Sequence, residues 1–296
     1  MHSRKVDLSP KELRQLQLNI LEILIEVDRI CREHDIKYSL DGGTLLGAVR
    51  HDGFIPWDDD IDIIMRREEY EKFAKVCETE LDEKRFFLQD YRTDAGYRWG
   101  YEKVRRKNTE FVRLGQEHLK NKTGVFLDIF VVDNVPDGWW TRRIHYVFCF
   151  VIRKLLYAEV GRKTEKKAFW RGWFELCYRL FPRDVIFSWR DWVAERCNKK
   201  RTELVSHMTH SYPKRTKFGM PAVCFDEMMD IGFEGYQFRC FKEYDRYLSL
   251  LFGDYHTLPP KEERVMHLEA SSISLLPLEE LYTKEELLKL GWIEKN

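Results

Sequence analysis

The chain has 296 residues, 44% of them apolar, enough for a sizeable core and for one or two domains. Fifty basic residues balance fifty acidic ones, and a net charge of zero argues against a general nucleic-acid binder. No segment reaches the roughly 20 apolar residues that span a bilayer, no long apolar signal region opens the chain, and the odd cysteine count without a C-x-x-C pair points to a reducing, cytoplasmic compartment.

The first expected element is a helix. Ser9 can cap it, Pro10 sits at its first position and Glu12 completes a capping box, before Leu13, Leu16, Ile20, Ile23, Leu24, Val27 and Ile30 recur at helical spacing. Residues 36–40 read as a short strand, and 44–50 as a short helix after the turn Asp41-Gly-Gly-Thr44. A loop from His51 to Pro56 leads into Trp57-Asp-Asp-Asp-Ile-Asp62, and 61–65 read as a strand. A charged helix over 67–83 and strands at 86–89, 100–106, 109–113 and 124–132 follow.

The composition changes after the turn signal Pro136-Asp-Gly138. Residues 139–201 hold six of the nine tryptophans and sixteen Lys/Arg against six Asp/Glu, in a mostly helical pattern. A strand-like piece near 216–225 and helices near 241–252 and 283–290 complete the chain. The fold class expected is α+β: a mixed-sheet core over 1–135, a helical Trp- and Lys/Arg-rich insertion over 136–213, and a C-terminal part, 214–296, that completes the site.

Asp60 and Asp62 lie two apart at the start of the expected strand, so alternation puts both carboxylates on one face, with Ile61 and Ile63 on the other. Neighbouring carboxylates repel, and a divalent cation such as Mg²⁺ or Mn²⁺ removes that cost while also binding substrate phosphates. Asp58 adds a third acid at the same spacing, whereas Asp59 should point away, as a structural or solvent-facing residue. Asp128 is a lone charge in the apolar run Val125–Val132, where burial needs a partner. Gly42, Gly43 and Thr44 stand at a strand-to-helix turn, where backbone N–H groups can approach a phosphate closely. Lys103 and Arg105, on one strand face, are candidates to neutralise that phosphate, with Arg106 beside them. His207-x-x-His210 lacks a third ligand and reads as a pair of surface histidines, and His51 is a candidate neighbour of the acidic loop.

The stretch from Leu40 through Asp41-Gly-Gly-Thr44, His51-Asp-Gly-Phe-Ile-Pro56 and Trp57-Asp-Asp-Asp-Ile-Asp-Ile63 resembles the LicD family of phosphotransferases, within the nucleotidyltransferase-fold superfamily. Glu102-Lys-Val-Arg105, Gly124-Val-Phe-Leu-Asp-Ile-Phe130, Tyr247-Leu-x-x-Leu-Phe-Gly-Asp-Tyr255 and Arg264-x-x-His267 resemble the same family, so the likeness touches both ends of the chain. The resemblance implies a nucleotidyltransferase-like core and transfer of a phosphorylated alcohol, phosphocholine above all, from a CDP-linked donor to a glycan hydroxyl with release of CMP. Teichoic acid and lipopolysaccharide sugars are the acceptors it suggests; fukutin-related proteins, which use CDP-ribitol, share the Trp-Asp-x-Asp-x-Asp pattern. Carried over by motif, Asp58, Asp60 and Asp62 bind metal, Asp128 is the later strand carboxylate, and Arg264 and His267 gain interest for donor binding.

The expected mechanism is in-line displacement, with Asp128, ahead of Asp58, as proton acceptor. The competing enzymatic reading is a nucleotidyltransferase that leaves a nucleotidyl group on its acceptor. A rival from another class is a silent metal-binding or scaffold protein, against which the full set of acids argues. No nucleic-acid partner is expected. The tryptophans and basic residues of 139–201 suggest peripheral contact with a membrane, where lipid-linked glycan acceptors reside.

Overall fold

A computed structural model describes residues 5–208 and 216–294. Helix α1, Pro10–Glu33, starts at the expected capping box on Ser9 and Glu12 and buries one long apolar face. The elements that follow are β1 Ser39–Leu40, α2 Gly42–His51, β2 Asp62–Arg66, α3 Arg67–Glu80, β3 Phe86–Gln89, β4 Glu102–Arg106, β5 Glu110–Arg113 and β6 Phe126–Val135. Three helices come next: α4 Trp139–Thr164, α5 Ala168–Leu180 and α6 Arg183–Asn198. The chain closes with β7 Leu204–His207, β8 Met220–Pro221, β9 Met228–Phe233, β10 Tyr236–Phe241, α7 Tyr244–Phe252, β11 Ala270–Ser274 and α8 Lys284–Lys289.

Among the described residues seven strands form the main sheet, in the order β1-β2-β6-β4-β3, with β7 on β6 and β8 on β7. Strand β6 is long enough to serve two partners: its first half pairs with β4 and its second with β7. Only β2 and β6 run parallel, so the sheet is mixed and the fold is α+β, as expected. Two smaller antiparallel pairs, β9–β10 and β5–β11, come from segments far apart in purpose: a local hairpin and a closure between the core and the C-terminal part.

Helix α1 covers the back of the sheet. There Arg106 donates to Glu22 at 2.7 Å, both side chains buried, so Arg106 serves the core and not the site. One apolar core joins α1, the sheet, β9–β10 and α7; a second joins Ile152, Leu155, Phe174, Ile186 and Phe187 of α4, α5 and α6. Arg190 of α6, fully buried, lies 3.5 Å from the buried Glu102 and ties the helical region to β4. All seven cysteines are free and five are buried.

Several expectations need correction. Strand β1 is shorter than 36–40, and α2 begins at Gly42, so both glycines belong to its first turn. The segment 216–225 is mostly turn and a short 3-10 helix, with only Met220–Pro221 extended. His207 is not a surface residue: it is buried, with its ring edge-on to Phe130 at 5.1 Å; His210 lies outside the described residues. His51 ends α2, with Arg50 as the charged neighbour that helps burial to lower its pKa.

Candidate active site

Three adjacent strands build the site's floor. Asp62 opens β2 and stands beside Asp128 of β6 in parallel register; Lys103 of β4 stands beside Asp128 on its other side. The row Asp62–Asp128–Lys103 thus crosses the middle of the sheet, with neighbouring strands about 4.8 Å apart. Strand β2 begins at Asp62, so Asp58 and Asp60 approach along the preceding loop and not as strand residues.

That loop is pinned from three sides. Gln17 of α1 donates to the Asp58 carbonyl at 2.9 Å, and Asp58 N–H bonds the Ile55 carbonyl at 2.9 Å. Thr44 accepts the Asp62 N–H at 2.9 Å through its hydroxyl, and the Asp41 N–H reaches the Asp62 carbonyl at 2.9 Å. Thr44, expected to face a phosphate, is therefore first of all a clamp on Asp62. Gly42 has φ +49°, a left-handed conformation that suits glycine. A Cβ on Gly43 would lie 2.8 Å from Asp58 Oδ2, so only glycine lets the start of α2 come this close to the acids.

Burial and mutual repulsion raise the pKa values of the acids. Burial, and then Asp59, push Asp58 up to about 6. Burial, and then Asp58, Asp59 and Asp128, push Asp60 up to about 7. Burial, and then Asp60 and Asp128, push Asp62 well above the usual range. Asp59 is half-buried and not fully solvent-facing: burial raises its pKa too, while Arg113 and His267 draw it down.

Lys103 and Arg105 share a face, but neither is idle. Lys103 is buried in an ion pair with Asp128, over the Phe126 ring at 3.4 Å; burial pulls its pKa down, against the attraction of Asp128. Arg105 donates to Gln89 and to the Gly124 carbonyl, and is buried. The guanidinium that does face the acids, Arg113 of β5, was not singled out from the sequence. It lies 3.8 Å from Asp128, with its side chain 38% exposed; burial works against its charge, and Asp128, Asp60 and Asp62 favour it. The β5–β11 pairing sets Ala270 opposite Arg113 and brings the preceding segment back over the loop, where His267 lowers the pKa of Asp58 and Asp59. Arg264 lies over the Trp57 ring at 6.0 Å and donates to the Pro259 carbonyl. Tyr247 of α7 donates at 2.5 Å to the buried Asp41, which stands at the N-terminal end of α2 without a side-chain cap bond to it.

Does this set suit a divalent cation? Asp62 Oδ1 is buried without a hydrogen-bond partner among the described residues, a costly state for a carboxylate oxygen, and the repulsion among the acids is what a cation would relieve. Carboxylate oxygens are the right donors for Mg²⁺ or Mn²⁺. The aspartate oxygens do not gather three at a time within 4.8 Å; among the described residues only Glu33, His34 and Glu80 do, and they are exposed. That trio is a solvated ion-pair cluster, with His34 2.8 Å from Glu80 and Glu33 2.6 Å from Arg29. The aspartates of the loop, half-buried and mutually repelling, are the ones whose cost a cation would offset. Nor does volume mark the chemistry: a cavity of about 740 Å³ opens at the far end of β2, but its Arg67 is committed to Asp133 at 2.7 Å and none of the acids above line it.

Comparison with known proteins identifies the family. Residues 35–150 match the family described as LicD/FKTN/FKRP, nucleotidyltransferase domain. That segment holds the Gly-Gly turn, the acidic loop, Lys103, Arg113 and Asp128. The lipopolysaccharide cholinephosphotransferase LicD of Haemophilus influenzae is 30% identical over 263 residues, covering 86% of this chain and 95% of that protein. An uncharacterized protein of Rickettsia typhi is 39% identical over 59 residues, 20% of this chain and 19% of its own. One of Rickettsia prowazekii is 45% identical over 53 residues, 18% of this chain and 20% of its own. The chain belongs to the LicD family and is a phosphotransferase.

Proposed function

We propose that this phosphotransferase moves a phosphorylated alcohol, phosphocholine, from CDP-choline to a hydroxyl of a cell-surface glycan precursor, lipopolysaccharide or teichoic acid in type, and releases CMP. The observation that carries the reading is the near full-length similarity to a lipopolysaccharide cholinephosphotransferase. Among the described residues no helix is long and apolar enough to cross a membrane; we place the reaction on the cytoplasmic side, where nucleotide donors are made.

A divalent ion, Mg²⁺ or Mn²⁺, held by Asp58, Asp60 and Asp62 with Asp128 beside them, would offset the charge developing on the donor diphosphate. The protein's own groups do the rest. The N–H groups of Gly42 and Gly43 at the start of α2 steady phosphate oxygens. Arg113 takes the part expected of Arg105, because Arg105 is committed to Gln89 and Gly124 whereas Arg113 faces the acids and is partly exposed. Asp128, oriented by Lys103, accepts the proton of the attacking hydroxyl. The acceptor oxygen forms its bond to the phosphocholine phosphorus as the bond to the bridging oxygen breaks, and CMP leaves with that oxygen.

The nucleotidyltransferase description of the matched domain keeps a second reading in play, in which a nucleotidyl group stays on the acceptor. Product identity separates them. The test is a panel of CDP-alcohols, choline and ribitol among them, with Mg²⁺ or Mn²⁺ and a glycan acceptor. CMP release with phosphocholine on the acceptor supports the proposal; cytidine on the acceptor sinks it.

A further inference from the structure

The three helices α4, α5 and α6 bury one face in their shared core, yet each carries a second apolar stripe that is left exposed among the described residues. On α4 the stripe is Trp140, Ile144, Val147 and Val151; on α5 it is Phe169, Trp173, Leu176 and Leu180; on α6 it is Val185, Trp189 and Trp192. The spacing is four, three, four on α4 and α5 and four, three on α6, which puts every stripe on one side of its helix. These are not grazing exposures: Trp140 is 72% exposed, Phe169 75% and Ile144 68%. Scattered exposed apolar residues need no explanation, but aligned stripes on three neighbouring helices do.

The stripes are not isolated from one another. Ile144 of α4 and Trp192 of α6 line one apolar groove of about 480 Å³, with Phe148 and Val193. Trp189 packs against Phe181, the residue just after α5, at 5.7 Å between ring centroids. Around them the charge is one-sided. Between residues 139 and 201 ten Lys/Arg are exposed, against two exposed acids, Asp184 and Glu195. The whole chain is neutral, so this excess is local to the apolar stripes.

Apolar and aromatic side chains rimmed by cations match the chemistry of an anionic lipid surface. Tryptophan favours the headgroup level, and Lys/Arg favour the negative potential above it. We infer that α4–α6 form a docking module that seats this protein on an anionic membrane. The module lies near the reacting groups: Arg153, Lys154, Leu156 and Tyr157 of α4 line a cavity of about 260 Å³ with Trp99 and Tyr101. Tyr101 packs in turn on Phe130 of β6, beside the acid row. A lipid-linked acceptor would thus meet the site from the membrane side. The docking itself stands whatever the donor proves to be.

The test is flotation of the full chain with vesicles of phosphatidylglycerol and phosphatidylcholine in equal parts, against vesicles of phosphatidylcholine alone, at low and high salt. Binding to the anionic vesicles at low salt is expected, with release at high salt and a blue shift of tryptophan emission on binding. Reversing Lys166, Lys167 and Arg171 to Glu should weaken binding by about fivefold per residue. Trp140→Glu with Trp192→Glu should abolish the emission shift while leaving turnover of a soluble acceptor unchanged. No flotation with either vesicle at low salt overturns the inference. So does light scattering that shows a dimer which Trp140→Glu/Trp192→Glu converts to a monomer without any vesicle binding, because a second copy would then be what covers the stripes.

Discussion

Replacing Asp60 by Asn separates electrostatics from chemistry in the acidic loop. Burial and the neighbouring acids push the Asp60 carboxyl from 3.8 to about 7. An acid whose pKa is raised on folding contributes its full share of stability below the unfolded value, and that share is lost as pH rises through about 7. The gap of about three units corresponds to at most about 4 kcal/mol. Asp58, Asp59, Asp62 and Asp128 share the repulsion, so the part assignable to Asp60 alone is on the order of 1–3 kcal/mol. Asparagine keeps the shape and removes the charge. Without added metal at pH 8, D60N is therefore expected to melt a few degrees higher than the wild type, and at pH 4 the two should nearly coincide. With Mn²⁺ the order inverts: the wild type gains stability and D60N does not, and turnover of D60N falls at least about 100-fold. Differential scanning fluorimetry over pH, with and without Mn²⁺, reads all of this. If metal-free D60N is less stable than the wild type at pH 8, the argument from mutual repulsion is wrong.

The same sign governs metal binding. With Asp58 near 6 and Asp60 near 7 in the free protein, protons compete with the cation, so the Mn²⁺-induced thermal shift should shrink steadily from pH 8 to pH 5.5; a flat profile contradicts the assigned ligands. Gly43→Ala places a methyl group 2.8 Å from Asp58 Oδ2; the carboxylate must move, so turnover should drop about 10-fold or more while urea stability changes by no more than about 1 kcal/mol. Equal activity in G43A would show that Asp58 need not hold its place. Tyr247→Phe removes the hydroxyl that meets the buried Asp41 and should cost about 1–3 kcal/mol in urea unfolding; an unshifted midpoint would mean that Asp41 is satisfied without it.

Much of the scaffold was legible because its signals are local. The capping box on Ser9 and Glu12, the helical spacing from Leu13 to Ile30 and the apolar run around Asp128 all name their elements within a few residues. The β9–β10 hairpin was missed because Met228–Phe233 does not alternate cleanly. Its turn is visible only in the structure, where Glu234 and Gly235 both take positive φ, as a tight two-residue hairpin turn requires. Long-range pairing hid the rest. Lys103 and Arg105 looked equivalent along the strand, yet Lys103 meets Asp128 on the neighbouring strand while Arg105 is drawn into Gln89 and Gly124. Arg113 carried no motif, and its place beside Asp128 follows from how β5 lies against β11 and Phe126. Asp59 was assigned outward by strand alternation, a rule that does not hold in the loop before β2. Charged residues without a nearby sequence partner have their roles decided by what the fold brings to them.

The central claim, that the Asp58–Asp62 loop and Asp128 form the centre of a CDP-alcohol phosphotransferase, is tested most directly by mass analysis of the acceptor. Wild type and Asp62→Asn are each incubated with CDP-choline, Mg²⁺ and a lipopolysaccharide acceptor. The account predicts that the wild type adds phosphocholine to the acceptor and releases an equal amount of CMP, and that D62N, folded by circular dichroism, does neither. Phosphocholine transfer by D62N at the wild-type rate, or a cytidylyl group on the wild-type product, would contradict it.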